Sequence, residues 1–177
     1  MKHHQYNPNY QFVIPPVDFN KHTDRSLLQY CLGATMYMPG TKDFAQAIID
    51  KKYPGLTSMV MCFEDACKEE DVPAAEQNCL HVLETLRHKV EGGELAYEDI
   101  PLIFFRVRNV DQFKHFAKLL PIESVPFITG FNFPKFNSLN AAAYMDHLAD
   151  LNGRAGEVLY GMPIIEDARV AYKESRL

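Results

Sequence analysis

The sequence predicts an α/β fold in which short strands alternate with longer helices. Short runs of apolar, β-branched or aromatic residues alternate with longer amphipathic stretches, which is typical of repeated βα units with a parallel sheet. Five such units follow one another from about residue 34 to the end of the 177-residue chain. Because 47% of the residues are hydrophobic and 23% are charged, the composition is that of one soluble globular domain with a substantial core.

The first 30 residues are predicted to form an N-terminal arm, and residues 31–177 the βα domain. From Met1 to about Asn20 the sequence is rich in proline, asparagine and aromatic residues. It shows no sustained helical or strand period. We therefore expect this segment to lie over the body of the domain.

Five apolar runs mark the predicted strands. They lie at about Ala34–Met38, Ser58–Phe63, Pro101–Val107, Phe127–Phe133 and Val158–Ile165. Each run has the length and the composition of a strand buried in a parallel sheet.

The intervening stretches carry apolar residues at helical spacing. The first predicted helix begins after an N-cap at Thr41, and the second and third run from about Pro73 to Val90 and from about Val110 to Leu120. The fourth extends through Ala141–Leu151 after a cap at Asn137 or Ser138, and the fifth begins at about Ala168. Gly92-Gly93 and Gly153 are expected to end the second and the fourth of them.

Charge, cysteine content and hydropathy exclude several classes of protein. The formal net charge is −5 with scattered Lys and Arg, so we expect no nucleic-acid partner. No apolar run approaches the roughly 18 residues of a membrane span, and we expect neither membrane insertion nor secretion. The spacings of the four cysteines match no zinc template, which favours free thiols in a reducing cytoplasm.

Charged residues fall at the ends of successive predicted strands. They are Glu64, Asp65, Arg106, Arg108, Lys135, Glu166 and Asp167. In parallel α/β folds the carboxyl ends of the strands form the functional face. Each residue taken singly is consistent with a structural ion pair or a helix cap, whereas together they indicate a site that binds a divalent cation and an anionic substrate.

The βα pattern alone leaves two architectures open. A complete (β/α)₈ barrel takes about 250 residues, so the five units would be part of a barrel. A doubly wound open sheet of five strands would be complete at this length. No strand is followed by a glycine-rich phosphate-binding motif, which argues against the nucleotide-binding version of the open sheet.

Five short motifs, in order, resemble the citrate lyase β-subunit and HpcH/HpaI aldolase superfamily. They are ATMYMPGT, SMVMCFEDACKEEDVPAAEQN, FFRVRN, FNFPKF and MPIIEDARV, which together span about Ala34 to Val170. The nearest subgroup resembles the TIM-barrel carbon-carbon bond lyase relatives of tellurite-resistance operons. The resemblance implies about the first five units of a (β/α)₈ barrel.

The resemblance also implies a chemistry and a role for each site residue. The expected reaction is Mg²⁺-dependent carbon-carbon bond cleavage or formation in a small carboxylate or CoA-thioester substrate, through an enolate. Glu166 matches the metal ligand and Arg106 the residue that anchors the substrate. Glu64 and Asp65 match an acidic pair that positions Arg106 or metal-bound water, and Lys135 matches a lysine that gives electrostatic support.

The sequence departs from the superfamily pattern in two places. Cys62 stands where many members have an aspartate, and the superfamily's second metal-ligating aspartate would lie on a strand beyond Leu177. We therefore expect an incomplete barrel, and a homo-oligomer that covers its open edges. Two alternatives remain: a catalytically inactive binding or assembly module, and an unrelated flavodoxin-like domain with strand order 2-1-3-4-5.

Overall fold

A computed structural model describes residues 9–53 and 55–175. The helices are α1 (Arg25–Leu28), α2 (Ala45–Ile49), α3 (Val72–Glu91), α4 (Val110–Leu119) and α5 (Ala141–Ala155). The strands are β1 (Met36–Pro39), β2 (Ser58–Cys62), β3 (Leu102–Arg106), β4 (Gly130–Phe133) and β5 (Tyr160–Pro163). Short 3₁₀ segments, among them Ala168–Ala171 and Lys173–Ser175, complete the described elements.

The five strands form one parallel sheet in the order in which they occur along the chain, β1-β2-β3-β4-β5. This order confirms the predicted α/β fold with five units of a (β/α) barrel. It differs from the 2-1-3-4-5 order, so the flavodoxin-like alternative is wrong. The register aligns Cys62, Arg106 and Asn132 on neighbouring strands, which places all three on one face of the sheet.

That face is concave. Asn132 Nδ2 on β4 donates a hydrogen bond of 2.8 Å to Tyr37 Oη on β1. In a flat sheet, three strand spacings of about 4.8 Å would separate these two strands. A direct contact across β2 and β3 therefore requires strong curvature, as in the wall of a barrel.

The convex face packs on the helices and holds the main core. Its strand residues are Met59, Met61, Ile103, Phe105, Phe131 and Phe133. They meet buried residues of α3, α4 and α5, including Leu83, Phe113 and Tyr144. Large aromatic and aliphatic side chains on this face contribute most of the burial that fixes the strands, and hence the positions of the strand ends.

The N-terminal arm covers the lower part of the concave face. Phe19 and Leu28 pack with Val60, Leu102 and Phe104 in a second, smaller cluster. Between the arm and β5 lies a cavity of about 1050 Å³. The carboxyl ends of the strands, above this cluster, carry the polar side chains described below.

Local corrections concern helix ends. The predicted cap at Thr41 is wrong, because α2 begins at Ala45, whose N–H is bound by the Asp43 side chain. The predicted stop at Gly153 is also wrong. Helix α5 continues through Ala155 and ends at Gly156, whose φ of 65° is the left-handed conformation that glycine adopts readily.

The predicted cap of α5 is also wrong. Helix α5 begins after Asn140 rather than at a cap on Asn137 or Ser138. All four cysteines are free, which confirms the prediction of unpaired thiols. No described helix is both long enough and apolar enough to cross a membrane.

Candidate active site

Five charged side chains meet at the carboxyl ends of the strands, and we call them the rim cluster: Glu64, Asp65, Arg106, Lys135 and Glu166. Arg106 is the last residue of β3, and the other four follow β2, β4 and β5. Parallel strands in sequential order bring these ends to one edge. The structure therefore brings together the five residues to which the resemblance assigns a role in the site.

Arg106 lies at the centre of the rim cluster. Its Nη2 is 2.5 Å from Glu64 Oε2, 2.9 Å from Asp65 Oδ2 and 2.9 Å from Glu166 Oε1. Burial lowers the pKa of Arg106, but the three carboxylates together raise it above its ordinary value. One guanidinium nitrogen thus holds three carboxylates that would otherwise repel one another.

Lys135 is the second cation of the rim cluster. Its Nζ donates a hydrogen bond to Glu64 Oε1, and this bond raises the pKa of Lys135. Its backbone has a φ of 48°, and its carbonyl accepts hydrogen bonds from the side chains of Asn137 and Asn140. The hydrogen bond to Glu64 therefore favours the protonated form of Lys135, which suits electrostatic support rather than an amine nucleophile.

The rim cluster carries an excess of negative charge. Three carboxylates face two cations across contacts of 2.9 Å or less, so the formal sum of the five side chains is −1. Glu64 is buried and is shared between Arg106 and Lys135. The five side chains of the rim cluster are therefore one positive charge short of neutrality, and the further cation that borders the same cavity is Arg108.

Two charged residues flagged by the sequence lie outside the rim cluster. Arg108 Nη1 donates to the carbonyls of Phe63 and Cys67, each at 3.1 Å, and so fixes the loop after β2. Asp167 caps the segment Ala168–Ala171 and pairs with Arg169. These hydrogen bonds from Arg169 lower the pKa of Asp167 below its usual range. Both are structural groups that support the loops around the site.

The rim cluster borders a cavity of about 380 Å³ lined by Glu64, Asp65, Cys67, Arg108 and Lys135. The larger cavity under the arm lies at the opposite end of the concave face and contains none of the rim cluster. Burial raises the pKa of Cys67, so this residue presents a thiol rather than a thiolate to the smaller cavity.

Residues 26–177 match the family model of carbon-carbon bond lyases of the TIM-barrel fold. This match covers most of the chain. The chain belongs to this lyase family. Sequential parallel strand order and a charged mouth at the carboxyl ends agree with membership. No curated protein matches the sequence.

Sequence reasoning missed two polar residues of this lyase that lie beneath the rim cluster on the concave face. Asn132 is buried and hydrogen-bonds to Tyr37. Within the described residues, Asn132 Oδ1 and Arg106 Nε are both buried and lack a hydrogen-bond partner. Leaving such a group unsatisfied costs about 1–3 kcal/mol. An asparagine between two phenylalanines of a predicted strand was the available signal, because it places a polar group on the face opposite the helix core.

The rim cluster fits a magnesium ion in its donor chemistry. Among residues 9–53 and 55–175, no three Asp, Glu, His or Cys side chains form a preassembled metal cage, and the carboxylates all turn toward Arg106. Magnesium commonly takes only one or two protein carboxylates and fills its remaining positions with water and substrate oxygens. The three carboxylates of the rim cluster are hard oxygen donors of the kind that magnesium prefers.

Proposed function

We propose that this chain is a Mg²⁺-dependent carbon-carbon bond lyase or aldolase of the citrate lyase β-like type. Its substrate would be a small carboxylate or the corresponding CoA thioester, cleaved through an enolate. The observation that carries the proposal is the convergence of Glu64, Asp65 and Glu166 on one nitrogen of Arg106 in a member of a lyase family.

Arg106 would bind the substrate carboxylate and stabilise the enolate oxygen. A guanidinium presents a planar fork of donors that matches two oxygens. Cleavage of the Cα–Cβ bond of a 3-hydroxy acid or its thioester turns the hydroxyl-bearing carbon into a carbonyl group, with the hydroxyl proton passing to a rim carboxylate or to water. The electron pair of the broken bond becomes an enolate, whose negative charge lies on the carboxyl or thioester oxygen. Arg106 stands fixed at this position before reaction, so it stabilises the developing charge without reorganising.

Glu64 and Asp65 would position Arg106, and Lys135 would support the same charge from the other side. Glu64 connects the two cations, because its Oε2 contacts Arg106 and its Oε1 accepts from Lys135. The protonated Lys135 adds a second positive charge near the developing enolate. None of these three residues needs to form a covalent bond with the substrate.

Glu166 would hold the magnesium ion, and the exposed carboxylate of Asp65 would face the same point of the mouth. Both meet the same nitrogen of Arg106, at 2.9 Å each, so both reach one point of the mouth. When bound, the ion supplies Lewis-acid polarisation of the substrate carboxylate and carbonyl oxygens. An ion bound there also offsets the excess negative charge of the rim cluster.

Turnover by the full chain tests the proposal. A panel of 3-hydroxy acids and their CoA thioesters is incubated with the protein with and without MgCl₂, and carbonyl products are measured by mass spectrometry. We expect Mg²⁺-dependent cleavage of at least one substrate. Glu166→Gln should lower turnover by about 100-fold and weaken Mg²⁺ binding in calorimetry.

The matched control is Glu174→Gln, the same chemical change at an exposed glutamate outside the rim cluster. It should leave both cleavage and Mg²⁺ binding unchanged. Absence of Mg²⁺ binding, together with no cleavage of any substrate, would contradict the proposal. Binding of Mg²⁺ and carboxylates without cleavage would favour the inactive binding module instead.

A further inference from the structure

Asn132 and Tyr37 form a polar pair on the concave face just below Arg106. Asn132 is the register partner of Arg106 on the neighbouring strand and is 2% exposed. Its Nδ2 donates to Tyr37 Oη at 2.8 Å, so one half of the amide has a partner within the protein. The other half, Oδ1, has none among the described residues.

The unpartnered atoms of Arg106 and Asn132 are complementary in hydrogen bonding. Among residues 9–53 and 55–175, Arg106 Nε is a donor without an acceptor, and Asn132 Oδ1 is an acceptor without a donor. Both are out of contact with solvent. Native proteins rarely leave buried polar atoms in this state, and such atoms often mark the place of a water molecule or a ligand.

A hydroxyl group matches this pair of atoms. Its proton can be donated to Asn132 Oδ1, and its oxygen can accept from Arg106 Nε. A carboxylate or a ketone oxygen could accept from the arginine but would leave the asparagine oxygen without a donor. An ammonium group could donate to the asparagine but would face the arginine with a like charge.

We propose that Asn132, held by Tyr37, is a specificity-determining residue that recognises a hydroxyl group of the substrate while Arg106 binds its carboxylate. This inference rests on the proposed function, because it places the hydroxyl next to the group that Arg106 anchors. The substrates selected would be hydroxy carboxylates over the matching deoxy acids.

Tyr37 is the solvent-exposed member of the pair. It is 49% exposed, whereas Asn132 is buried beneath the hydrogen bond that joins them. This hydrogen bond from Nδ2 holds the amide in one orientation, so that Oδ1 is the atom left for a ligand.

The test compares two dicarboxylates that differ by one hydroxyl group. Binding of malate and of succinate to the full chain in MgCl₂ is measured by calorimetry. We expect wild type to bind malate about tenfold more tightly than succinate. Asn132→Leu, which keeps the branched shape of the side chain and removes both polar atoms, should bring the ratio to about one with succinate affinity unchanged.

Tyr37→Phe provides a second variant at a position that is half exposed and thus tolerant of change. It should lower the malate preference to about threefold, because the amide loses its orientation but not its oxygen. Tyr30→Phe, which removes a hydroxyl from an exposed arm residue, should keep the full tenfold preference.

Each outcome decides the inference. Equal binding of malate and succinate by wild type would overturn it, because the position would then take only water, and the proposed lyase function would stand. Failure of wild type to bind either acid would overturn the carboxylate site and this inference with it. A tenfold preference retained in Asn132→Leu would assign the hydroxyl contact to another residue and also overturn it.

Discussion

Each end of the concave face buries one basic side chain, and the partners of these two side chains differ. At the lower end Lys21, 4% exposed in its side chain, pairs with Glu157 at 3.1 Å and donates to the Val125 carbonyl at 3.0 Å. We call these three groups the arm anchor. At the upper end Arg106 meets three carboxylates, and its buried Nε has no hydrogen-bond partner within the described part of the chain.

The two sites differ in whether their charges and hydrogen bonds are matched within the protein. The arm anchor matches one positive charge with one negative charge and one carbonyl, and it holds the arm against the loop before β4 and the loop after α5. Its neighbour Tyr97 is satisfied as well, because its hydroxyl donates to the Pro126 carbonyl at 2.6 Å. The rim cluster is unbalanced in charge and in hydrogen bonds. A buried pair with matched charges and hydrogen bonds is complete within the protein, whereas an unmatched one is a candidate place for a ligand.

Removal of Lys21 should have the largest effect on stability. Lys21→Met keeps the volume but leaves Glu157 without its cation, and we expect a loss of about 2 kcal/mol in the free energy of unfolding. The value is at the lower end for a buried pair because the Glu157 side chain is 24% exposed. Urea denaturation measures it. Binding of malate at the rim cluster should not change.

The double variant Lys21→Met/Glu157→Gln separates the effect of an unpaired buried charge from the effect of the lost contacts. It removes both charges of the arm anchor, so no unpaired buried charge remains, and stability should return to within about 1 kcal/mol of wild type. If the double variant were as unstable as the single variant, the loss would come from the missing contacts of Lys21 itself and not from an unpaired charge on Glu157.

We expect a smaller effect of pH on the free energy of unfolding, with opposite signs for Lys21 and for Lys135. Burial lowers the pKa of Lys21 below 10.5, so the unfolded chain binds more protons in that interval and stability rises with pH there. The hydrogen bond to Glu64 raises the pKa of Lys135 above 10.5, so its contribution is present at lower pH and is lost as pH rises through the raised value.

Denaturation curves measured from about pH 8 to about pH 12 for wild type, Lys21→Met and Lys135→Met would separate the two contributions. The wild-type minus Lys21→Met difference should increase with pH, and the wild-type minus Lys135→Met difference should decrease. The latter change should be small because the Lys135 side chain is 59% exposed. Equal signs would contradict the contrast between the two ends.

The sequence predicted the fold and the members of the rim cluster because both depend on repeating patterns. Apolar runs fixed the five strands, and parallel order brought charged strand ends together. The stop at Gly153 failed because an exposed glycine costs only about 1 kcal/mol in a helix, while Asn152 exchanges hydrogen bonds with the backbone of Leu159 and supports the last turn.

Contacts between distant residues could not be predicted. Lys135 reaches Glu64 across 71 positions of sequence, and Asn132 reaches Tyr37 across 95. Both depend on the curvature of the sheet, which the spacing of apolar residues in the sequence does not predict. The direction of Arg108 was equally hidden, because its acceptors are backbone carbonyls that any sequence would offer. The Mg²⁺ ion, the substrate, the cytoplasmic location and the homo-oligomer stay predictions.

The most direct test of a ligand site at the rim cluster is malate binding by Arg106→Gln in MgCl₂, measured by calorimetry beside Lys21→Met/Glu157→Gln. The change at Arg106 should weaken binding by about 100-fold, because a charged bidentate contact is lost, and the double variant at the arm anchor should bind as wild type does. Equal affinity in Arg106→Gln and wild type would show that Arg106 is only a structural ion pair.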